Sequence, residues 1–224
     1  MAVGFSGMLI AMTMAVSLWD HALRIAFLFG YALLFAAVEI EIEGDHGWAE
    51  RLPTWFRVTP LYARAYGLFM RGKPLTGYHL VMFVLPLWSF HLGFVSGVPW
   101  TWAGESTALS AYVLWVVIWD FLWFLLNPRF GWGRFRRSEV WWHGGVWIGR
   151  FPVDYYSALL VSILLAAAGY AATRTWTVLL NHLILSAGML TLTAVAAVFA
   201  PVYMRWHAHM RRPGSDERGL VLRE

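Results

Sequence analysis

Residues 25–48 read IAFLFGYALLFAAVEIEIEGDHGW. Up to residue 42 the run is apolar except for Glu39 and Glu41, and it is close to the ~20 residues that cross a hydrocarbon core. It closes on Glu39, Glu41, Glu43, Asp45 and His46, four acids and a histidine within eight residues. Residues 25–42 therefore predict a membrane-spanning helix. Residues 38–48 are either an acidic cap where that helix leaves the bilayer or half of a site. If helicity continues through residue 43, Glu39 and Glu43 share a face and Glu41 points away. The alternation of Val38 to Glu43 also fits a strand, and Gly44 and Gly47 favour ending the helix before His46.

Further apolar runs repeat the pattern. The chain is 59 % hydrophobic and 13 % charged, half the charged share of about a quarter in soluble domains. The expected fold is all-α, a polytopic transmembrane bundle with spans near 25–42, 77–97, 106–126, 155–172 and 176–204. Residues 2–19 form a possible extra span, or the upper part of one long tilted helix. Asp20 to Arg24 interrupts between them. The first cation is Arg24, which argues against a cleaved signal peptide at the start. Residues 1–204 make one membrane domain and 205–224 a basic tail.

Two long segments, 44–75 and 127–154, interleave aromatic rings with cations and are punctuated by Gly and Pro. That texture suits the headgroup layer, with a short interfacial helix expected from Tyr62 to Met70. Of the 17 Lys and Arg residues, only Arg24 and Arg174 fall outside these segments and the tail. The positive-inside rule then puts both long loops and the C-terminus in the cytoplasm, with the chain in the cell (inner) membrane. This gives five spans with the N-terminus outside, or six with it inside. The cations lie where topology places them, so the net charge of +4 does not indicate nucleic acid.

Orientation gathers ionisable groups at one depth. Glu39, Glu43 and His46 end the first span, and His79 opens the next. Asp120 lies seven residues before Asn127, roughly 10 Å inside the same face. Glu139, His143 and Asp154 come from the second loop. Glu43-x-x-His46 has the spacing of inward-facing carboxylate metal sites, and Glu139 and His143 are i,i+4. Carboxylate with imidazole suits Fe, Mn or Zn. The candidate ligands are Glu39, Glu43, His46, His79, Asp120 and His143; the candidate acid–base groups are Asp120, Glu39 and Glu43. Each has a plainer reading beside it. Asp120 in an apolar run must be paired, protonated or functional, and a loop arginine such as Arg57 or Arg134 is one expected partner. Glu139 reads equally as an exposed ion-pair partner, and Asp154 first as a helix N-cap. His79 and His143 read also as residues at headgroup level.

A thinner polar set, His21, His91, Glu105, Asn181 and His182, lies toward the other face. It fits interhelical hydrogen bonds better than an ion path or a haem between His91 and His182. His207 and His209 read as surface. There is no His-Glu-x-x-His, no repeated His-x-x-x-His, no Walker loop and no Gly-x-Ser-x-Gly. Without cysteine there is no thiolate chemistry. The single lysine, Lys73, lies in a loop, which argues against a Schiff base.

Four blocks carry a resemblance: Glu43 to Trp55 (EGDHGWAERLPTW), Lys73 to His79 (KPLTGYH), Asp120 to Pro128 (DFLWFLLNP) and Phe151 to Tyr155 (FPVDY). Together they resemble a family of small, uncharacterised prokaryotic polytopic membrane proteins, over residues 39–155. The resemblance implies a shared helical fold and carries no activity, substrate or cofactor. That family often has an acid where Trp119 stands, beside Asp120, so this chain has one carboxylate fewer, which weighs against a di-metal site.

Three functional classes fit these features. One is a metal-dependent or acid–base membrane enzyme with a cytoplasm-facing site and a lipid-like substrate. Another is a transporter or channel for protons, ions or small solutes. The third is a structural or assembly subunit that contacts other membrane subunits or its own copies.

Overall fold

A computed structural model of the chain describes residues 17–210. Among the described residues there are seven α-helices: α1 (Leu18–Glu43), α2 (Leu61–Phe69), α3 (Gly77–Phe90), α4 (Leu92–Val95), α5 (Trp102–Leu126), α6 (Val153–Thr173) and α7 (Trp176–Met210). Two antiparallel pairs of two-residue strands tie the loops: β1 (Phe56–Arg57) with β2 (Leu75–Thr76), and β3 (Trp147–Ile148) with β4 (Phe151–Pro152). The all-α expectation holds. Helices α1, α5, α6 and α7 are long and apolar enough to cross a membrane. Their outward faces carry exposed Phe27, Leu34, Leu160, Leu164, Val198 and Phe199, apolar surface that water would not tolerate at this extent.

Several boundaries differ from expectation. Asp20 to Arg24 does not interrupt α1: Ser17 caps the helix, and Asp20 answers in a reciprocal capping box. The extra span at 2–19 lies outside the described residues except for its last three. The run 77–97 is broken at His91. It forms the 14-residue α3, about 21 Å long, and the short α4. The last helix continues through Met210, so residues 205–210 of the expected tail are helical. The interfacial helix stands one residue earlier than expected, at Leu61–Phe69.

Helix α5 is the axis of the fold, packed on α1, α3, α6 and α7. Its side chains Leu114, Trp115, Ile118, Trp119 and Leu122 form the main core with Ala32 and Ala36 of α1 and Leu185 and Met189 of α7. Trp115 donates through Nε1 to Leu28 O (3.0 Å), and Tyr112 donates through Oη to Phe83 O (3.0 Å). These bonds pin α1 and α3 to α5. The buried positions of α1 are His21, Phe29, Ala32, Ala36, Glu39, Ile40 and Glu43, a helical stripe. Glu39 and Glu43 thus continue the face that packs inward.

A second aromatic core closes the loop end. Phe130, Phe135, Val140 and Trp142 pack on Trp123 and Phe124, and the Trp142 ring stacks on Phe124 (5.8 Å, 10°). Asn127, fully buried, joins the two ends. Its Nδ2 donates to Gly44 O (2.6 Å), and its Oδ1 accepts from Arg129 N (2.9 Å) and Phe130 N (3.0 Å). Gly47 lies so close to the Trp142 indole that a Cβ there would overlap it.

Candidate functional site

The ends of α1, α3, α5 and α6 and both loops enclose a cavity of about 520 Å³. Glu39, Glu43, His79, Asp120 and His143 all line it, with Lys73, Arg71, Asp154 and Tyr155. Five of the six candidate ligands therefore meet. His46 does not: it turns to Asp45 (3.1 Å) and Glu50 (3.7 Å). The physical reason is Gly44, the C-cap of α1 at φ +67, which ends the helix before an i,i+3 partner can share its face.

Inside the cavity the groups divide into two sets. Glu39, Glu43 and His79 are all buried, and each places a ligand atom within 4.8 Å of the others. His79 is held from both sides. Thr76, the N-cap of α3, contacts His79 Nδ1 (2.9 Å) and accepts from His79 N (3.0 Å) through the same Oγ1. The Trp48 ring stacks on the imidazole (3.9 Å, 15°). His79 Nε2 faces Glu43 Oε1 at 3.7 Å. A proton on Nδ1, donated to Thr76, leaves the Nε2 lone pair toward the carboxylates. Glu43 Oε1 also accepts from Ala49 N (2.6 Å). That bond holds a turn in which Trp48 (φ 57) and Ala49 (φ 55) are both left-handed, a backbone state that non-glycine residues seldom adopt. Trp48 Nε1 donates to Pro74 O (3.1 Å), locking the two loop segments over the site.

The second set is a chain. His143 Nδ1 meets Asp154 Oδ2 (3.4 Å), and His143 Nε2 lies 3.1 Å from Asp120 Oδ2, out of hydrogen-bonding alignment. Tyr155 Oη donates to the same Asp120 oxygen (2.5 Å). Arg71 pairs with Asp154 (2.7 Å), and Lys73 stands 3.7 Å from it. The partners of Asp120 are thus His143 and Tyr155 rather than Arg57 or Arg134. Asp154 is not the N-cap of α6; Pro152 is. Asp154 sits in the first turn and links three basic groups. Glu139 does not converge with His143. It is an ion-pair partner of Arg134 (3.4 Å) and Arg136 (3.0 Å), because the chain around it is a turn, with no helix to make i,i+4 a shared face. Its hydrogen bond from Arg136 holds the Glu139 carboxyl below the usual carboxylate range.

Three residues of this site were not legible from sequence. No local pattern marks them: Thr76 lies just before the run expected from residue 77, Tyr155 opens the run expected from residue 155, and Lys73 lies in a loop. Lys73 is buried and lies over the Trp48 ring at 4.7 Å. Burial pushes its ammonium below the ordinary value, while Asp120 and Asp154 pull it back up. Burial likewise raises Tyr66 above the ordinary phenol value, so its hydroxyl stays protonated.

The other polar set stays apart from this cavity. His91 meets Glu105 (3.1 Å) and Leu87 O (2.7 Å). His182 meets Ser162 Oγ (2.9 Å), which in turn donates to Ser110 O (2.9 Å). These are separate interhelical ties, and each histidine has its own partners. No protein-family model, no curated protein and no solved structure matches the chain.

Proposed function

We propose that this chain is a membrane enzyme that holds one divalent metal ion on Glu39, Glu43 and His79 and works on a lipid-like substrate. The observation that carries the reading is the convergence of these three buried ligands on a cavity they share with the His143–Asp120 pair. Two carboxylates on the packed face of a helix are costly unless a cation or a proton joins them. Three protein ligands leave coordination positions open, as catalytic sites do. Carboxylate–imidazole donors suit Fe, Mn or Zn. A divalent ion held by Glu39, Glu43 and His79 would supply Lewis-acid chemistry toward a substrate oxygen. His143, oriented by Asp154, exchanges a proton with the substrate or with Asp120.

Both long loops, which line the site, and the C-terminal sequence together carry fifteen of the seventeen Lys and Arg residues. That distribution supports a cytoplasmic face for both long loops and for the C-terminal end of α7, in a cell membrane. Among the described residues this reading gives five crossings, by α1, by α3 with α4, and by α5, α6 and α7. The four-block resemblance to small prokaryotic membrane proteins is compatible with this arrangement.

Metal analysis of protein purified in mild detergent tests the reading. One equivalent of metal is expected in the wild type, with loss in Glu43→Gln and His79→Ala and retention in His46→Ala. Wild-type protein that takes up no metal at stoichiometric levels would rule the reading out.

A further inference from the structure

The cavity is larger than a metal ion and its waters require, and its shape is that of an amphiphile. Val113, Val116, Val117 and Asp120 of α5 fall at i, i+3, i+4 and i+7 along its floor. An apolar strip thus runs roughly 10 Å from Asp120 toward the middle of the helix. On the flank, Ser157 and Val161 of α6 line the same cavity and are exposed. The pocket therefore opens sideways, on a surface that is otherwise apolar.

The polar end has donors to spare. Trp123 Nε1 and Tyr66 Oη are buried, belong to residues that line the cavity and have no hydrogen-bond partner among the described residues. The Trp123 residue is only 3 % exposed. Trp119 Nε1 faces Glu39 without a hydrogen bond of good geometry. Among the described residues Arg71 has Asp154 as its single ion-pair partner, and a guanidinium carries five N–H donors. Indole and guanidinium groups donate only, so the atoms that would satisfy them are acceptors. Their number exceeds what the two oxygens of a carboxylate would satisfy and suits a tetrahedral oxyanion.

We infer that the occupant is a lipid with a phosphate head: the phosphate bridges the metal and Arg71, and a hydrocarbon chain lies along the Val113–Val117 strip. The inference rests on the metal reading above. Glu39, Glu43, Asp120 and Asp154 outnumber Arg71 and Lys73, so a phosphate is repelled until a divalent cation offsets the carboxylates.

The test uses full-length protein in detergent, loaded with Mn²⁺, and follows tryptophan fluorescence and metal content. The probes are dioctanoyl phosphatidic acid and dioctanoyl phosphatidylglycerol. Dioctanoylglycerol, octanoic acid and inorganic phosphate are the controls. Saturable binding of either phosphate lipid is expected, and the preference between them tells a monoester from a diester head. Chelation of the metal abolishes it. Arg71→Gln weakens it by roughly tenfold or more with the metal content unchanged. Val116→Trp, which fills the strip, abolishes lipid binding but keeps metal and inorganic phosphate; Val161→Trp at the mouth does the same if the first variant does not fold. Dioctanoylglycerol or octanoic acid binding as tightly as the phosphate lipids would overturn the inference, as would indifference to Arg71→Gln. Metal uptake without phosphate-lipid binding sinks this inference alone, whereas absence of metal sinks both.

Discussion

Thr76 offers the sharpest test of how His79 is held. Its side chain is fully buried, and one oxygen serves two partners, His79 N at 3.0 Å and His79 Nδ1 at 2.9 Å. Thr76→Val keeps the volume and removes that oxygen. Two separable losses follow. The first is the N-cap of α3, worth about 1 kcal/mol of stability, with a buried N–H left unpaired. The second is the outer partner of a metal-binding imidazole. Such partners change metal affinity by about 10–100-fold, equivalent to ~1.4–2.8 kcal/mol. The measurement is chelator competition for Mn²⁺ or Zn²⁺ in detergent, alongside thermal unfolding of the metal-free protein. Thr76→Ser retains the hydroxyl and is expected to keep near-wild-type affinity while losing only a methyl's packing. If Thr76→Val binds metal as tightly as the wild type although its stability falls, His79 is not a ligand oriented through Nδ1. If Thr76→Ser binds as poorly as Thr76→Val, the hydroxyl is not what orients the ring.

Asn127→Ala removes three hydrogen bonds, one that joins the end of α5 to Gly44 at the C-cap of α1 and two that hold the turn at Arg129 and Phe130. It should cost about 2–4 kcal/mol at roughly 1 kcal/mol per bond plus unsatisfied buried groups, read as a lowered unfolding midpoint. Gly47→Ala forces a methyl into the Trp142 ring. It should destabilise by about 1–3 kcal/mol and weaken metal binding, because the displaced turn carries Ala49 N away from Glu43. Glu139 gives a pH signature. Its folded carboxyl is held below the ordinary value by Arg136, then by Arg134. Its contribution is therefore complete above pH ~4.5 and lost as pH falls through the folded value. Glu139→Gln should flatten that part of the acid limb of an unfolding-versus-pH curve while leaving metal content unchanged; an unaltered limb would mean the pair is inert.

What could be read from sequence was whatever repeats along a helix or follows from bilayer dimensions. The spans of α1, α5, α6 and α7 are long runs with few charges, so their existence was legible. That Glu39 and Glu43 share a face followed from spacing, once α1 was taken to residue 43; that the face is buried comes from its packing. The failures are where the chain leaves regular structure. Glu43-x-x-His46 and Glu139-x-x-x-His143 look like helical pairs only if a helix persists. Gly44 ends one, and the segment around Glu139 is a turn closed by Arg136 and Val140. Asp154 looked like a cap because it follows Phe151-Pro152, yet proline takes the cap position and leaves the carboxylate two residues further on, within the first turn. His143 reached Asp120 through the packing of Trp142 on Phe124, a contact between distant aromatics that no local period encodes.

The placement of Glu39 and Glu43 leads to one further outcome. Both lie on the α1 stripe that also buries Ala36 and Ile40, and each is 7 % exposed. Helix packing would be better served by leucine, so without a cation the two carboxylates are a burden on the fold. Glu39→Gln keeps the shape, removes the charge, and leaves an amide oxygen that Trp119 Nε1 can still approach. The metal-free variant should therefore be at least as stable as the metal-free wild type, in contrast to the usual loss when a buried residue is changed. Saturating metal should reverse the order. Wild type gains RT ln(1 + [L]/Kd), about 2.7 kcal/mol at a hundredfold excess over Kd, and the variant, short of one ligand, gains less. Thermal unfolding of both proteins with chelator and with Mn²⁺ reads the crossing directly. A variant less stable than wild type under both conditions would show that Glu39 serves the fold through its own hydrogen bonds, and that no cation is needed to keep it there.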